Sequence, residues 1–389
     1  MTDSIEQHMQ RFGALVRKEQ QRLAKVHATK AAPKAAGDAT VIAVLPGDGI
    51  GPIIMAQAIR VLSELLKDEL ANEEIRFRFI EGLTLENRLA MGESVPESVM
   101  AEIKACPVIL KGPMTTPKAS DAGINLTSAN AILRRELDLF ANIRPVKMAH
   151  KDIDWTFFRE NTEGPYALGS DGLQIDDDLA IDFVVESRTC TERIARVAFE
   201  YAKNNAKHNV TVVTKANIIK RTDGNFLNTC REIAQEYDGI QLEERLVDVT
   251  AARLTNPEFH KGLEVFVLPN LYGDIITDIA AEYQGGLGTA GSANIGTDYA
   301  VFEAIHGSAP FLVENNRAEY ADPSSLLRAA VLLLNHIGKN EQADRLEKAL
   351  DICGATERRI KITSFREDAS TEEYTDYILE KLAPEYAVQ

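Results

Sequence analysis

The chain has 389 residues, too many for one small core, so two domains are expected. Hydrophobic residues make up 45% and charged residues 26%, an ordinary globular composition, and no apolar run reaches the ~18 to 20 residues a membrane-spanning helix needs. A formal charge of −16 argues against a general binder of nucleic acid or anionic membrane, so any anionic ligand requires basic residues gathered locally.

Residues 1–29 carry Ile5, Met9, Phe12, Val16, Leu23 and Val26 at roughly helical spacing, and a low-complexity linker follows from Lys30 to Asp38. This segment reads as an appended helix that packs on the body of the protein or on a partner subunit. Its basic balance admits a mitochondrial targeting peptide, but Asp3, Glu6 and Glu19 argue against one, since such peptides are poor in acids. Charge also interrupts the first apolar cluster, unlike a secretory signal.

Strand and helix patterns alternate from residue 40. Val41–Leu45 is a short buried-strand run, Pro46-Gly-Asp-Gly-Ile-Gly-Pro52 a turn, and Ile53–Leu66 a helix. Val108–Leu110, Val210–Thr214 and Val265–Leu268 are further runs of strand length, with helical patterns at 129–139, 191–206, 226–237, 326–337 and 371–382. The alternation predicts an α/β protein with a largely parallel or mixed sheet. The glycine turn is not a Rossmann fingerprint. GxGxxG would need glycine where Pro52 stands, and no acid follows at the right distance to hold a ribose. A tight strand-to-helix turn explains those glycines better. Cys106, Cys190, Cys230 and Cys353 form no CxxC pair, so they read as packed thiols of a reducing cytosol and not as a zinc site.

Basic residues do gather. Thr127 or Ser128 can cap a helix, whose N-terminus favours anions, and Asn130 and Arg134 share a face of it. Arg144 follows on an extended segment before Pro145, and Arg159 stands in Phe157-Phe-Arg-Glu-Asn-Thr-Glu-Gly-Pro-Tyr166. Three arginines converging on one point suit a polycarboxylate, since guanidinium forks match carboxylates and each charge-assisted bond nets ~1.5 to 3 kcal/mol. Any one of them taken alone reads as a solvated or salt-bridged face.

Asp274 and Asp278 lie one helical turn apart after the 265–268 strand. They repel mildly unless a hard cation sits between them, and oxygen ligands without His or Cys nearby favour Mg2+ or Mn2+. Asp248 is a candidate third ligand. An acidic pair favouring the helix dipole is the alternative. Lys215, in Thr214-Lys-Ala-Asn-Ile-Ile-Lys220, ends a buried strand. Desolvation there disfavours the charged form of a lysine and makes it a candidate proton acceptor, the alternative being a surface loop residue.

These motifs together resemble the β-decarboxylating dehydrogenases, the family of isocitrate, isopropylmalate and homoisocitrate dehydrogenases. The likeness runs from about Val41 to the end. It includes Gly47-Asp-Gly-Ile-Gly51, Lys111-Gly-Pro-Met-Thr-Thr-Pro117, Arg134 to Pro145, Asp274 with Asp278, Gly285-Gly-Leu-Gly288 and His306-Gly-Ser-Ala-Pro310. The resemblance implies a two-domain isopropylmalate-dehydrogenase-like fold, not a Rossmann fold, in an intertwined homodimer. The implied division is an extension over 1–38, a large cofactor-side domain from 39–140 and 290–389, and a small domain with dimerisation elements over 141–289.

The resemblance also implies roles. Arg134, Arg144 and Arg159 would hold the substrate's α- and β-carboxylates, and Asp274 and Asp278 a divalent metal. Asp248 and Lys215 would reach in from the neighbouring subunit, Lys215 as proton acceptor, and Tyr166 would be the late proton donor. The nucleotide would lie along His306, Gly307, Ser308, Ala309 and Pro310, with Thr116, Asn217 and Asp322 as further contacts. Ser128 and Asn130 offer donors suited to the γ-carboxylate of isocitrate, where isopropylmalate enzymes are usually apolar. Phe311-Leu312 matches neither the Lys-Tyr of NADP-preferring members nor the acid-aliphatic pair of NAD-preferring ones. Asp322 would repel a 2′-phosphate, whereas Arg358, Arg359 and Lys361 would attract one; NAD is expected, NADP being the alternative. Oxidation of isopropylmalate or homoisocitrate, or a non-catalytic regulatory subunit, are the rival readings. A cytoplasmic location is expected, a mitochondrial one less so.

Overall fold

The computed structural model describes residues 5–28, 39–116, 126–148, 152–169, 171–284, 286 and 290–382. The Lys30–Asp38 linker, Pro117, Gly285, Leu287 and Gly288 lie outside the described residues. The strands are β1 (Thr40–Leu45), β2 (Ile75–Phe79), β3 (Val108–Lys111), β4 (Ala141–Met148), β5 (Ile153–Glu160), β6 (Leu173–Gln174), β7 (Ala180–Ile181), β8 (Asn209–Thr214), β9 (Gln241–Leu246), β10 (Val265–Leu268), β11 (Gly291–Ile295) and β12 (Ala300–Ala304). The helices are α1 (Ile5–Ala28), α2 (Gly51–Leu65), α3 (Lys67–Ala71), α4 (Leu85–Met91), α5 (Glu97–Lys104), α6 (Ala129–Glu136), α7 (Arg188–Asn204), α8 (Thr222–Ala234), α9 (Val247–Arg253), α10 (Asn270–Ala281), α11 (Pro310–Glu314), α12 (Ser324–His336), α13 (Asn340–Asp351) and α14 (Thr371–Lys381).

Ten strands form one mixed sheet in the order β2-β1-β3-β12-β11-β4-β5-β10-β8-β9. Parallel pairing runs outward from β12 through β3 and β1 to β2, and from β5 through β10 and β8 to β9. The centre, β12-β11-β4-β5, is antiparallel. The inner parallel strands β1, β3, β8 and β10 are covered on both faces, which is why their sequences read as largely apolar runs, whereas the edge strands β2 and β9 are more polar and more exposed. In β1, Ile42 and Val44 enter one core with α2, α12, α13 and α14, while Ala43 and Leu45 enter a second on the opposite face. The other half repeats the arrangement: Phe158 packs with α7 and α8, and Trp155 and Phe157 with Phe266 and Ile276. Among the described residues no helix is long and apolar enough to cross a membrane.

The glycine turn after β1 is the tight turn its sequence suggests. Gly47 and Gly49 have φ of 80° and 60°, and a Cβ on them would lie 2.2 Å from the Pro113 carbonyl and 2.1 Å from that of Ser308. Asp48 secures the turn by accepting from Leu85 N at 2.6 Å, Thr115 N at 2.8 Å and the buried Arg88 at 2.7 Å. All four cysteines are free and buried. Burial pushes the thiols of Cys190 and Cys353 up to about 12, in keeping with packing residues.

Helix α1 forms as expected, and within the chain its apolar stripe is only partly covered: Phe12 meets Phe183, and Leu23 and Val26 are half-buried. Ile5, Met9, Phe12 and Val16 are exposed, whereas Leu15, off the stripe, is buried against Ala167 and Leu168. Contacts of charged residues further along α1 set which side faces the protein.

Candidate active site

Strand β4 delivers Arg144, β5 delivers Arg159, and α10, starting directly after β10, carries Asp274 and Asp278. These four meet. Arg144 donates to Asp278 Oδ1 at 3.1 Å and lies 3.6 Å from Asp274 Oδ1, while Arg159 is ion-paired to Asp274. The Tyr166 hydroxyl donates to Asp274 Oδ2 at 2.7 Å. Burial pushes the Asp278 carboxyl up; Asp274, though also buried, is held below the usual range because Arg159 and Tyr166 outweigh desolvation. Burial, reinforced by Asp274, raises the Tyr166 phenol, so that it keeps its proton.

Several functional groups escaped the sequence reading. Asn270 Oδ1 accepts from Arg159 Nη2 at 2.7 Å and Nε at 3.1 Å, fixing the guanidinium plane. Thr277 accepts from Arg144 Nη1 at 2.6 Å. It sits three residues after Asp274 on the same helix face, a spacing that could have signalled it. Arg134, on α6, is held differently: its Nη2 is 3.5 Å from Glu303 Oε1, and Lys111 pairs with the other carboxylate oxygen at 2.7 Å. Asn294 donates to Glu303 at 2.7 Å and accepts from Asn142 and Asn161. Arg134 is nonetheless part of the cluster, because its positive charge disfavours the ionised form of Arg159 and favours that of Asp274.

Ser128 caps α6, accepting from Ala131 N at 3.4 Å, and its hydroxyl proton remains available for donation. Asn130, next along that first turn, has a buried Oδ1 with no hydrogen-bond partner among the described residues. A buried amide left unpaired normally costs about 1 to 3 kcal/mol and marks a place where a polar ligand group fits.

Lys215 and Asp248 pair with each other at 2.7 Å. Neither makes an ion pair with Arg144, Arg159, Asp274 or Asp278 in the same chain. The backbone N–H of Lys215 donates to Asp223 at 2.6 Å, which fixes the turn after β8. One chain thus presents two candidate half-sites: the arginine–aspartate cluster and the Lys215–Asp248 pair.

The nucleotide candidates divide in the same way. His306, Ser308 and Thr115 line the groove beside the glycine turn, with the two hydroxyls 2.6 Å apart. Thr116 is exposed there. Ala309 has a left-handed φ of 48° and opens α11 with Pro310; Gly307, with open space around its Cα, leaves room for a ligand. Burial holds the His306 ring below its ordinary value, hence neutral. Asp322 accepts from Ser324 N at 2.8 Å at the start of α12. Arg359, one of the three downstream basic residues, is engaged by Glu380 at 3.1 Å. Asn217 is exposed on the other half-site, one turn beyond Lys215.

The donor set fits a hard divalent cation. Asp274 and Asp278 offer only oxygen donors, one helical turn apart and each partly exposed, and their negative charge is met by Arg144 and Arg159. Among the described residues no three His, Cys, Asp or Glu side chains are grouped so that they could by themselves hold a metal ion.

Comparison with known proteins places the chain in a family. A family model described as isocitrate/isopropylmalate dehydrogenase matches residues 41–378. The chain is 41% identical over 318 residues to an NADP isocitrate dehydrogenase of Rickettsia bellii, covering 80% of this chain and 62% of that protein's length. It is 36% identical over 341 residues to a probable mitochondrial NAD isocitrate dehydrogenase subunit alpha of Drosophila melanogaster, covering 84% of each. The crystal structure of isocitrate dehydrogenase from Methylococcus capsulatus superposes with a TM-score of 0.77 at 34% identity, over 88% of this chain and 99% of that one. With the family model matching residues 41–378 and these relatives aligning over most of the chain, the protein belongs to the isocitrate/isopropylmalate dehydrogenase family.

Proposed function

We propose that the protein oxidises and decarboxylates isocitrate to 2-oxoglutarate and CO2, reducing NAD, with NADP as the alternative acceptor. The observation that carries the reading is the meeting of Arg144 and Arg159 with Asp274 and Asp278 under the Tyr166 hydroxyl. In the resting chain the aspartates neutralise the arginines. Asp274 and Asp278, joined by Asp248 of a neighbouring copy, would hold Mg2+ or Mn2+, which would leave the guanidinium forks of Arg144 and Arg159 to the substrate carboxylates.

When bound, the cation supplies Lewis acidity that lowers the pKa of the substrate hydroxyl and stabilises negative charge on its oxygen. Arg134, Arg144 and Arg159 hold the α- and β-carboxylates and so orient C2 towards the nucleotide at His306–Pro310. Lys215 takes the hydroxyl proton as hydride leaves C2. Loss of CO2 from the β-keto acid leaves C3 to be protonated by Tyr166, whose phenol holds its proton until then. Ser128 and Asn130 present a hydroxyl and an amide to the γ-carboxylate, the feature that favours isocitrate over isopropylmalate.

The separation of the Lys215–Asp248 pair from the arginine cluster supports a homodimer with shared sites. A small-molecule substrate, no nucleic acid and no membrane complete the reading, in the cytoplasm.

The test is turnover of isocitrate, isopropylmalate and homoisocitrate with Mg2+ or Mn2+ and with each nucleotide. Isocitrate with NAD is expected to be fastest, and chelation of the metal to abolish it. Preference for either other acid would refute the substrate, and silence of the purified chain on all three would favour a regulatory subunit.

A further inference from the structure

The family match begins at residue 41, so α1 lies outside it, yet α1 is tied to the candidate site. Its Glu19 accepts from Arg135 Nη2 at 2.9 Å and from Arg22 Nε at 2.7 Å. Arg135 adjoins Arg134 on α6, and its other terminal nitrogen donates to the Ala167 carbonyl at 2.8 Å. Arg22 reaches further in and is ion-paired to Glu163, whose side chain is wholly buried. Leu15 packs on Ala167 and Leu168, and Phe12 meets Phe183 at 5.2 Å between ring centroids.

Glu163 stands with two further carboxylates, the buried Glu160 and the half-buried Glu186. Glu160 is satisfied only by Thr162 N and Oγ1 and by Glu163 N, at 2.8, 2.6 and 2.8 Å, and Glu186 by Thr191. Among the described residues Arg22 is the sole cation paired with any of them. Burial, with the charge of Glu163 second, raises the carboxyls of both Glu160 and Glu186. Burial works against Arg22 too, but Glu163 overcomes it and holds the guanidinium charged.

From Glu163 the contacts lead straight to the chemistry. Its backbone carbonyl accepts from Asn270 Nδ2 at 3.0 Å, and Asn270 Oδ1 in turn orients Arg159. Tyr166 lies three residues on in the same loop, with its hydroxyl on Asp274.

We propose that α1 is a positioning element of the active site: Arg22 and Glu19 pin the 163–168 loop and the end of α6, so that Tyr166 and Arg134 stand correctly against the Asp274 cluster. The inference rests on the functional reading above for what Tyr166 does, but not for where it is held. Arg22 and Glu19 touch no reacting atom; they act through Glu163 and Arg135.

The test compares Arg22→Met, Arg22→Lys and Glu19→Gln in the full chain, by steady-state kinetics, thermal unfolding and amide exchange in 161–169 against β10 and α12. Arg22→Met is expected to lower kcat by roughly 10- to 100-fold, since small misplacements cost that much, with KM for the nucleotide unchanged. Exchange in 161–169 should quicken while β10 and α12 stay protected, and Arg22→Lys should restore most of both. Glu19→Gln, which keeps the fold of α1, should show the same pattern more weakly. Unchanged loop exchange in a folded Arg22→Met protein would overturn the proposal whatever the substrate proves to be, and so would a kcat loss that Arg22→Lys does not repair. If the chain turns over none of the hydroxy acids, exchange alone decides, and the functional reading fails separately.

Discussion

Gly273 lies directly beneath the Arg159 side chain: a Cβ at position 273 would come within 2.5 Å of Arg159 Cγ and 2.7 Å of its Cβ. A glycine inside a helix normally costs about 0.5 to 1 kcal/mol relative to alanine. Here it lets β5 and α10 approach until the guanidinium reaches Asp274 and Asn270. Gly273→Ala therefore sets helix propensity against site geometry. The expected outcome is a loss of about 1 to 3 kcal/mol, read by denaturant unfolding, because the buried root of the Arg159 side chain, and not its flexible end, has to move aside. Turnover should fall by roughly 100-fold as well, since the guanidinium shifts from its partners. An alanine variant with wild-type kcat/KM would mean that Arg159 need not stand where it does.

Glu303 couples the same site to acid stability. Desolvation would raise its carboxyl, but Lys111 and Arg134 with the Asn294 hydrogen bond bring it down to about 2. A carboxylate depressed in the folded state contributes stability that is fully present above its unfolded pKa and is lost as the pH falls towards the folded one. The window is thus from about 4.5 down to about 2. Glu303→Gln should cost about 3 kcal/mol at neutral pH, because buried Lys111 loses its counter-charge. It should also flatten the acid limb in that window. Denaturant unfolding of both proteins from neutral pH down to acid checks the difference; parallel curves would remove Glu303 from the account.

Much of this was legible in the sequence, for reasons that particular residues make plain. β1, β8 and β10 announce themselves because each is buried on both faces, so that apolar residues occur without a break. The central strands do not, since Asn142, Arg144, Ser292 and Asn294 turn polar groups inward and satisfy them across the sheet, Asn142 donating to Ser292 at 2.7 Å. That pattern resembles a loop until the partner strand is known. The arginines and aspartates stood out by charge against an acidic chain, but the side chains that orient them, Asn270 and Thr277, are ordinary residues whose role comes only from three-dimensional position. Helix α1 exposes the other limit. Its apolar period is correct, yet the docking face is chosen by Glu19 and Arg22 finding Arg135 and Glu163, contacts spanning more than a hundred residues.

Asn130 gives a direct reading of substrate choice. Its buried amide oxygen has no hydrogen-bond partner among the described residues, and a rotation of the terminal amide would bring its nitrogen round to a carboxylate. Asn130→Leu should leave the melting temperature nearly unchanged or slightly raised. Discrimination between isocitrate and isopropylmalate should shift by about 1 to 3 kcal/mol towards the apolar acid, as expected when one ligand loses a hydrogen bond and the other gains apolar contact. Equal losses of kcat/KM on both acids would take Asn130 out of the specificity pocket.

The pairing of Lys215 with Asp248, apart from Asp274 and Asp278, makes the sharpest demand on the assembly. If each site combines one chain's aspartate pair with its partner's lysine, Lys215→Met and Asp278→Asn disable different halves. Each variant alone should be inactive, the first for want of a proton acceptor and the second because the metal loses a ligand, so that Asp278→Asn also weakens Mn2+ binding in calorimetry while Lys215→Met does not. In a mixed dimer one site inherits both defects and the other inherits none. Co-refolding the two inactive proteins in equal amounts makes half of the dimers mixed, each with one intact site, so activity should return to about a quarter of the wild type. Complementation requires that the two halves come from different chains; if activity stays at zero while mixed dimers form, lysine and aspartate serve the same chain and the shared site is wrong.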